Sequence, residues 1–181
     1  MAEPRSTPAV LFVGEAPSPS TDGRPGAAPL VGETGLRLAR WAGLSPAAFR
    51  ARAACTNLFD RIPQRWDEAE ARARAAWMWG ELTSARPAGA VHEGVGVVVL
   101  LGARVARAFG ATRAPLYATA QTAGPALATM PHPSGLNHYW NEAAHVRRAE
   151  RFLRRLLGQP MPGRQPRLPM GRATWHTSQR R

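Results

Sequence analysis

The stretch Val95-Gly96-Val97-Val98-Val99-Leu100-Leu101-Gly102 decides the architecture. It is a continuous apolar, largely β-branched run ending at glycine, the pattern of a strand buried on both faces of a parallel sheet. A helix to about Phe109 is expected after it. Working outward, Ala9-Val10-Leu11-Phe12-Val13 reads as a first strand ending at Gly14, residues 53–58 as a second, and residues 126–130 as the last. Helical patterns separate them. Residues 35–42 predict a helix with Leu36, Leu38, Ala39, Trp41 and Ala42 inward, stopped by Gly43. Ser45-Pro46 caps and opens a short helix through about Arg52. Asp67 caps a long Ala/Arg/Trp helix to about Thr83, and residues 86–94 read as a loop. From about Asn141 a helix runs to Leu157, with Ala144, Val146, Phe152, Leu153, Leu156 and Leu157 on its apolar side. Strands alternating with helices predict an α/β fold, a three-layer α/β/α domain around a mostly parallel four-stranded sheet. That domain is expected over residues 1–157. Residues 158–181, rich in Pro, Gly and Arg with five arginines and no acid, read as a disordered tail.

The 181 residues suffice for one such domain and a sizeable core, and a second full domain is not expected. The formal charge is +12, and every basic residue is Arg, with no Lys anywhere. Abundant Ala, Gly and Pro suggest a codon bias that accounts for part of the arginine. The excess over acids points to a polyanion partner, with a solvated Arg-rich surface as the alternative. Without Lys there is neither a side-chain Schiff base nor a Walker-type phosphate loop. Cys55 is the single cysteine, which excludes an intramolecular disulfide and a four-thiolate iron–sulfur cluster. Within Ala53-Ala54-Cys55-Thr56-Asn57 it reads as a structural residue of a buried strand. No apolar run approaches the ~18 to 20 residues of a membrane span. Met1-Ala2-Glu3-Pro4-Arg5 lacks the layout of a secretory signal, so a cytoplasmic protein with no membrane partner is expected.

Open α/β sheets place ligands at the carboxyl ends of their strands. Three loops follow such ends: after Val13, after Asn57 and after Met130. The first, from Glu15 to about Gly32, is rich in Pro, Gly and Ser, and loops of that length are functional or disordered.

Gly14-Glu15-Ala16-Pro17, continued by Pro29-Leu30-Val31-Gly32-Glu33-Thr34-Gly35, resembles the opening motif of uracil-DNA glycosylases, most closely in the branch that carries an iron–sulfur cluster. Thr56-Asn57-Leu58 resembles that branch's second-strand motif. His132-Pro133-Ser134-Gly135-Leu136-Asn137 resembles the superfamily's closing loop, blending the His-Pro-Ser form with the Pro-Ser-Gly-Leu-Asn form of the mismatch-specific branch. The motifs occur in family order over about residues 9–157. The resemblance implies an enzyme that flips a base out of DNA and cuts its N-glycosidic bond.

The roles follow from the resemblance and from the chemistry of each group. Glu15 and His132 are the candidate catalytic residues. The Glu15 carboxylate suits orienting water and stabilising an oxocarbenium-like state, unless it caps a turn or pairs with an arginine. The resemblance places His132 near the base's O2, donating a hydrogen bond to the leaving anion. Ala16, Pro17, Leu30 and Asn57 are the candidate base-binding residues. The Asn57 amide offers the donor and acceptor that match the O4 and N3–H edge of uracil; the alternative is a polar residue closing a turn. Ser134, Gly135, Leu136 and Asn137 are the candidate DNA-binding residues. Ser134 and nearby backbone N–H groups suit a phosphate, Gly135 permits close backbone approach, and Leu136 suits a wedge into the base stack. Tyr139 and Trp140 either stack nearby or pack against the following helix.

Three departures from the family's pattern matter. The cluster-bearing branch has four cysteines where this chain has Cys55 alone, so no metal and no cofactor are expected. Leu30 stands where the family's first loop carries an aromatic that stacks on the flipped base, leaving Phe12 or Phe59 to compensate. Ala16 holds a place where other branches carry a catalytic Asp or Asn, which excludes strong general-base catalysis there. The expectation is a monomeric, monofunctional glycosylase for uracil or a related pyrimidine in single- or double-stranded DNA. The alternatives are a DNA-binding damage sensor that has lost the chemistry, and a hydrolase of free nucleosides or nucleotides.

Overall fold

The computed structural model describes residues 10–19, 28–30, 32–84 and 94–158. The expected loop over residues 86–93 and the expected tail over residues 159–181 lie outside the described residues. The elements run in the order β1 (Val10–Gly14), α1 (Glu33–Ala42), α2 (Pro46–Arg52), β2 (Ala53–Asn57), α3 (Glu68–Thr83), β3 (Val97–Leu101), α4 (Ala103–Ala108), β4 (Thr119–Ala120), β5 (Ala126–Met130) and α5 (Ala143–Leu156). A 3₁₀ turn at His138–Asn141 leads into α5.

The sheet order is β2-β1-β3-β5-β4. β1 pairs parallel with β2 and β3, and β3 pairs parallel with β5, so all four expected strands point one way. The expected four-stranded sheet gains a fifth strand, because β4 pairs antiparallel with β5 at the edge. Two residues, Thr119-Ala120, are too short to show alternation in sequence, and pairing at an edge needs none.

Because side chains alternate across a strand, the sheet divides its apolar residues between two helical layers. Val10, Phe12, Val99, Leu101, Ala128 and Met130 face α1, α2 and α5. Leu11, Val13, Val98 and Leu100 face the other way, onto Met78 of α3 and Val105 and Ala106 of α4. This is the α/β/α arrangement expected, and it explains why β3 carries no polar residue. A smaller cluster of Leu58, Phe59, Ala71, Ala75 and Ala108 ties the loop after β2 to α3 and α4.

The capping signals hold. Gly43 ends α1 in the left-handed conformation at φ 71. Ser45 accepts the Ala48 N–H, with Pro46 at the first turn of α2. Asp67 accepts the N–H groups of Ala69 and Glu70 at the start of α3. Leu36 departs from the expected inward face and is 41% exposed. The inner stripe of α1 is Gly35, Leu38, Ala39 and Ala42, at the three- and four-residue spacing of a helix face, and Leu36 falls beside it. Ala144 is likewise exposed, while Ala149 takes a core position on α5.

Candidate active site

The carboxyl ends of the strands are laced together in pairs. Leu58 N–H donates to the Gly14 carbonyl at 2.9 Å and Phe59 N–H to the Glu15 carbonyl at 3.0 Å, fixing the β1 loop against the β2 loop. Gly102 N–H donates to the Met130 carbonyl at 2.8 Å, which fixes the β3 end against the closing loop. Gly102 has φ 97, and a Cβ there would lie 3.2 Å from the His132 Cβ. Only glycine lets the chain turn past the histidine at that conformation.

These loops enclose one cleft of about 680 Å³. Glu15, Ala16, Pro17, Leu30, His132 and Ser134 all line it, so the first and last motifs meet in one place. Asn57 stands one layer behind. A point one Cβ bond above Gly14 lies 2.6 Å from Asn57 Oδ1 and 3.0 Å from Leu30 Cδ2, so the leucine and the amide close together over a glycine that has room for both. Asn57 Oδ1 is buried and has no hydrogen-bond partner among the described residues. An orphaned buried acceptor costs on the order of 1–3 kcal/mol, a penalty that a donor on a bound ligand would relieve.

Glu15 Oε1 accepts a hydrogen bond from the Arg104 guanidinium at 3.0 Å, an ion pair across the cleft wall. The pairing with an arginine left open by the sequence is therefore present, and the carboxylate still lines the cleft. Burial holds the His132 imidazole below its usual pKa, and the Glu15 charge opposes that shift only in part. The ring is thus neutral at pH 7, with one N–H to donate.

The closing loop is braced by its own residues. The His132 carbonyl accepts from Asn137 Nδ2 at 3.0 Å and from the Trp140 indole at 2.8 Å. Asn137 Oδ1 accepts the Tyr139 N–H, so both ends of this amide are committed inside the loop. Pro133 is fully buried, and its carbonyl accepts from Arg37 at 3.3 Å. Trp140 packs on Trp41 at 4.4 Å between ring centroids, and Tyr139 stacks on His145 at 3.7 Å. Of the two placements open for these aromatics, the structure has both packed internally. Leu136, by contrast, is 91% exposed at the loop's tip.

The model for the uracil DNA glycosylase superfamily matches residues 2–154. The chain belongs to that superfamily. Its general chemistry is therefore that of a DNA glycosylase, and its partner is DNA. No curated protein matches the chain. In this superfamily member a four-thiolate cluster does not fit the residues present. Cys55 is the single cysteine, it sits in β2, and burial pushes its thiol up to about 12. Among the described residues, no three His, Cys, Asp or Glu side chains come together as a ligand set. No helix there is long and apolar enough to cross a membrane.

The glycosylase cleft holds residues that the sequence reading missed. Ile62, Pro63, Gln64 and Trp66, from the segment between β2 and α3, form one wall with Arg104 of α4. Neither of the expected substitutes for the missing aromatic lines the cleft: Phe12 is in the core at 0% exposure and Phe59 is buried at 3%. Trp66 occupies that wall instead. Its indole N–H donates to Glu68 at 2.9 Å, Phe59 packs edge-on at 5.5 Å, and the Arg104 guanidinium lies 5.4 Å from its ring centroid. The available signal was an aromatic immediately before the Asp67 cap.

Proposed function

We propose that this chain is a monofunctional DNA glycosylase that hydrolyses the N-glycosidic bond of uracil or a related modified pyrimidine flipped out of DNA. The observation that carries the reading is the convergence of Glu15 and His132 on one cleft, with the orphaned Asn57 Oδ1 immediately behind Leu30.

In the proposed reaction the C1′–N1 bond breaks and its electron pair leaves with the base. The Glu15 carboxylate stabilises the positive charge that develops on the sugar and orients the water. Water oxygen bonds to C1′ and its proton passes to solvent. The neutral His132 donates a hydrogen bond to the base's O2 as the anion forms. Asn57 Oδ1 accepts the base's N3–H, which satisfies its missing bond. Asn137 and Trp140 are positioning residues, since both hold the carbonyl of His132. Ser134 and the backbone at Gly135 contact phosphate, and Leu136 enters the stack vacated by the base. With no lysine in the chain, water rather than a side-chain amine completes the reaction.

The test is base release. Protein incubated with oligonucleotides carrying one uracil, in single strands and in U·G pairs, then treated with alkali, should yield cleavage at the abasic site. No product from either would reject uracil, and no product from a panel of modified pyrimidines would reject the enzyme. A second reading, a damage sensor without chemistry, is favoured by the Glu15–Arg104 ion pair and by Ala16. It requires DNA binding that survives Glu15→Ala and His132→Ala with no base released by the unmodified chain.

A further inference from the structure

We propose that one DNA strand leaving the cleft is held along α5, where Arg148, Arg151 and Arg155 bind its successive phosphates. This rests on DNA being the substrate of the cleft. The three arginines line a groove of about 310 Å³ together with Leu116, Tyr117 and Tyr139. A second hollow of about 560 Å³ contains both Leu116 and Tyr139 of this groove and His132 of the cleft. The three concavities therefore lie in series, from the base pocket, past the closing loop, to the exposed side of the last helix.

Charge picks the occupant. Among the described residues, none of the three arginines forms an ion pair, although Glu142 and Glu150 stand on or beside the same helix. Of the arginines nearby, Arg52 donates to the Leu157 carbonyl, and Arg154 is turned away with its guanidinium beside Gly43 and its Nε buried. The groove thus collects the free cations of this face. Its walls also suit sugars and bases, since Leu116 is 52% exposed and Tyr139 offers an aromatic edge. The Tyr117 hydroxyl is buried beside Tyr139 at the base of the groove. From Arg148 to Arg155 the helix rises about 10 Å at 1.5 Å per residue. The spacings of three and four residues put the three arginines on one side of the helix, so a single strand passing along it meets all three.

The experiment measures binding of a fluorescein-labelled single strand of about 20 nucleotides with one central uracil, by anisotropy over a range of salt. Each phosphate contact contributes about 0.7 to the slope of log affinity against log salt for single strands. The variant Arg148→Gln/Arg151→Gln/Arg155→Gln should lower that slope by about 2. The variant Arg40→Gln/Arg50→Gln/Arg72→Gln removes the same charge from α1, α2 and α3 and should leave the slope unchanged. If the first triple variant does not fold, each single substitution should lower the slope by about 0.7. An unchanged slope in the α5 variants, or an equal fall in the two triple variants, overturns the groove. Base release by the unmodified chain from the same oligonucleotide is scored separately. Its absence would reject the uracil activity while the slopes still decide the groove.

Discussion

Leu136→Ala separates the work of the closing loop on DNA from its work in the fold. The side chain is 91% exposed, between a glycine and an asparagine whose amide is spent inside the loop. Truncation removes no core contact, so the melting temperature should stay within about 1 °C, as expected of a surface change. If the leucine enters the stack as the base leaves, the variant forfeits the burial of three carbons. At about 0.8 kcal/mol per buried CH₂ the loss is at most ~2.4 kcal/mol, or about fiftyfold in kcat/KM. That loss should fall on duplex substrate, because a single strand has no paired stack to open. Single-turnover base release from a U·G duplex and from the same strand alone, with alkali detection, gives both rates. An equal loss on the two substrates, or none on the duplex, would refute the wedge. A clear fall in melting temperature would show that the loop's tip supports the fold instead.

Trp66→Ala should raise KM for a uracil-containing oligonucleotide about five- to a hundredfold, the equivalent of ~1 to 3 kcal/mol of base stacking, with Trp66→Phe recovering part of it. An unaltered KM would remove Trp66 from the base pocket. His132→Ala should lower kcat about a hundredfold or more, as loss of a donor to a developing anion does. It should also alter the pH dependence of stability. The His132 pKa is depressed in the fold, so acid protonates the unfolded chain first. Stability is then lost as pH falls from the ordinary histidine value through the folded one. The variant should lack that loss, and parallel melting curves of the two proteins from pH 7 to pH 5 would contradict the assignment. Gly35→Ala would drive a Cβ into the Leu30 carbonyl oxygen, so the loop must move. The expected cost is about 1–3 kcal/mol of stability, with base release falling because Leu30 walls the cleft. Unchanged melting and unchanged kcat/KM would mean that the Leu30 turn is not fixed by this glycine.

Much of the fold was legible because it rests on local chemistry. The β-branched run at 97–101, the Ser45-Pro46 start, the Asp67 cap and the Gly43 stop each act within a few residues, so their signals survive in one dimension. β4 escaped because an edge pairing of two residues leaves no periodicity. Leu36 was misplaced because its apolarity says nothing of the helix phase, which is set by Leu38 and Ala39 against the sheet. The site was legible where motif residues sit directly at strand ends, as Glu15 and His132 do. It was not legible where a wall is made by sequence-distant partners. Arg104 reaches Glu15 across 89 positions, and Trp66 meets Arg104 only because α3 and α4 share a face of the sheet. Asn57 was a candidate in the sequence, but its place behind Leu30 rather than on the cleft wall depends on Gly14 and had no trace in the motif.

The ion pair that occupies Glu15 does not by itself make the site inert. Its partners are 57% and 32% exposed, and pairs so open to water contribute about 0–1 kcal/mol. A substrate whose sugar develops positive charge offers the same carboxylate a partner in a drier setting, where the attraction is stronger. The exchange is therefore cheap at the outset and favourable at the transition state. The Arg104 guanidinium lies 5.4 Å from the Trp66 ring centroid, so the same arginine borders the aromatic wall of the cleft. Ala16 and Leu30 also line the cleft, and neither supplies a group that the charge-stabilising route requires. The base preferred by a pocket lined with Leu30, Trp66 and Arg104 is therefore the property that a panel of modified-base oligonucleotides should read first.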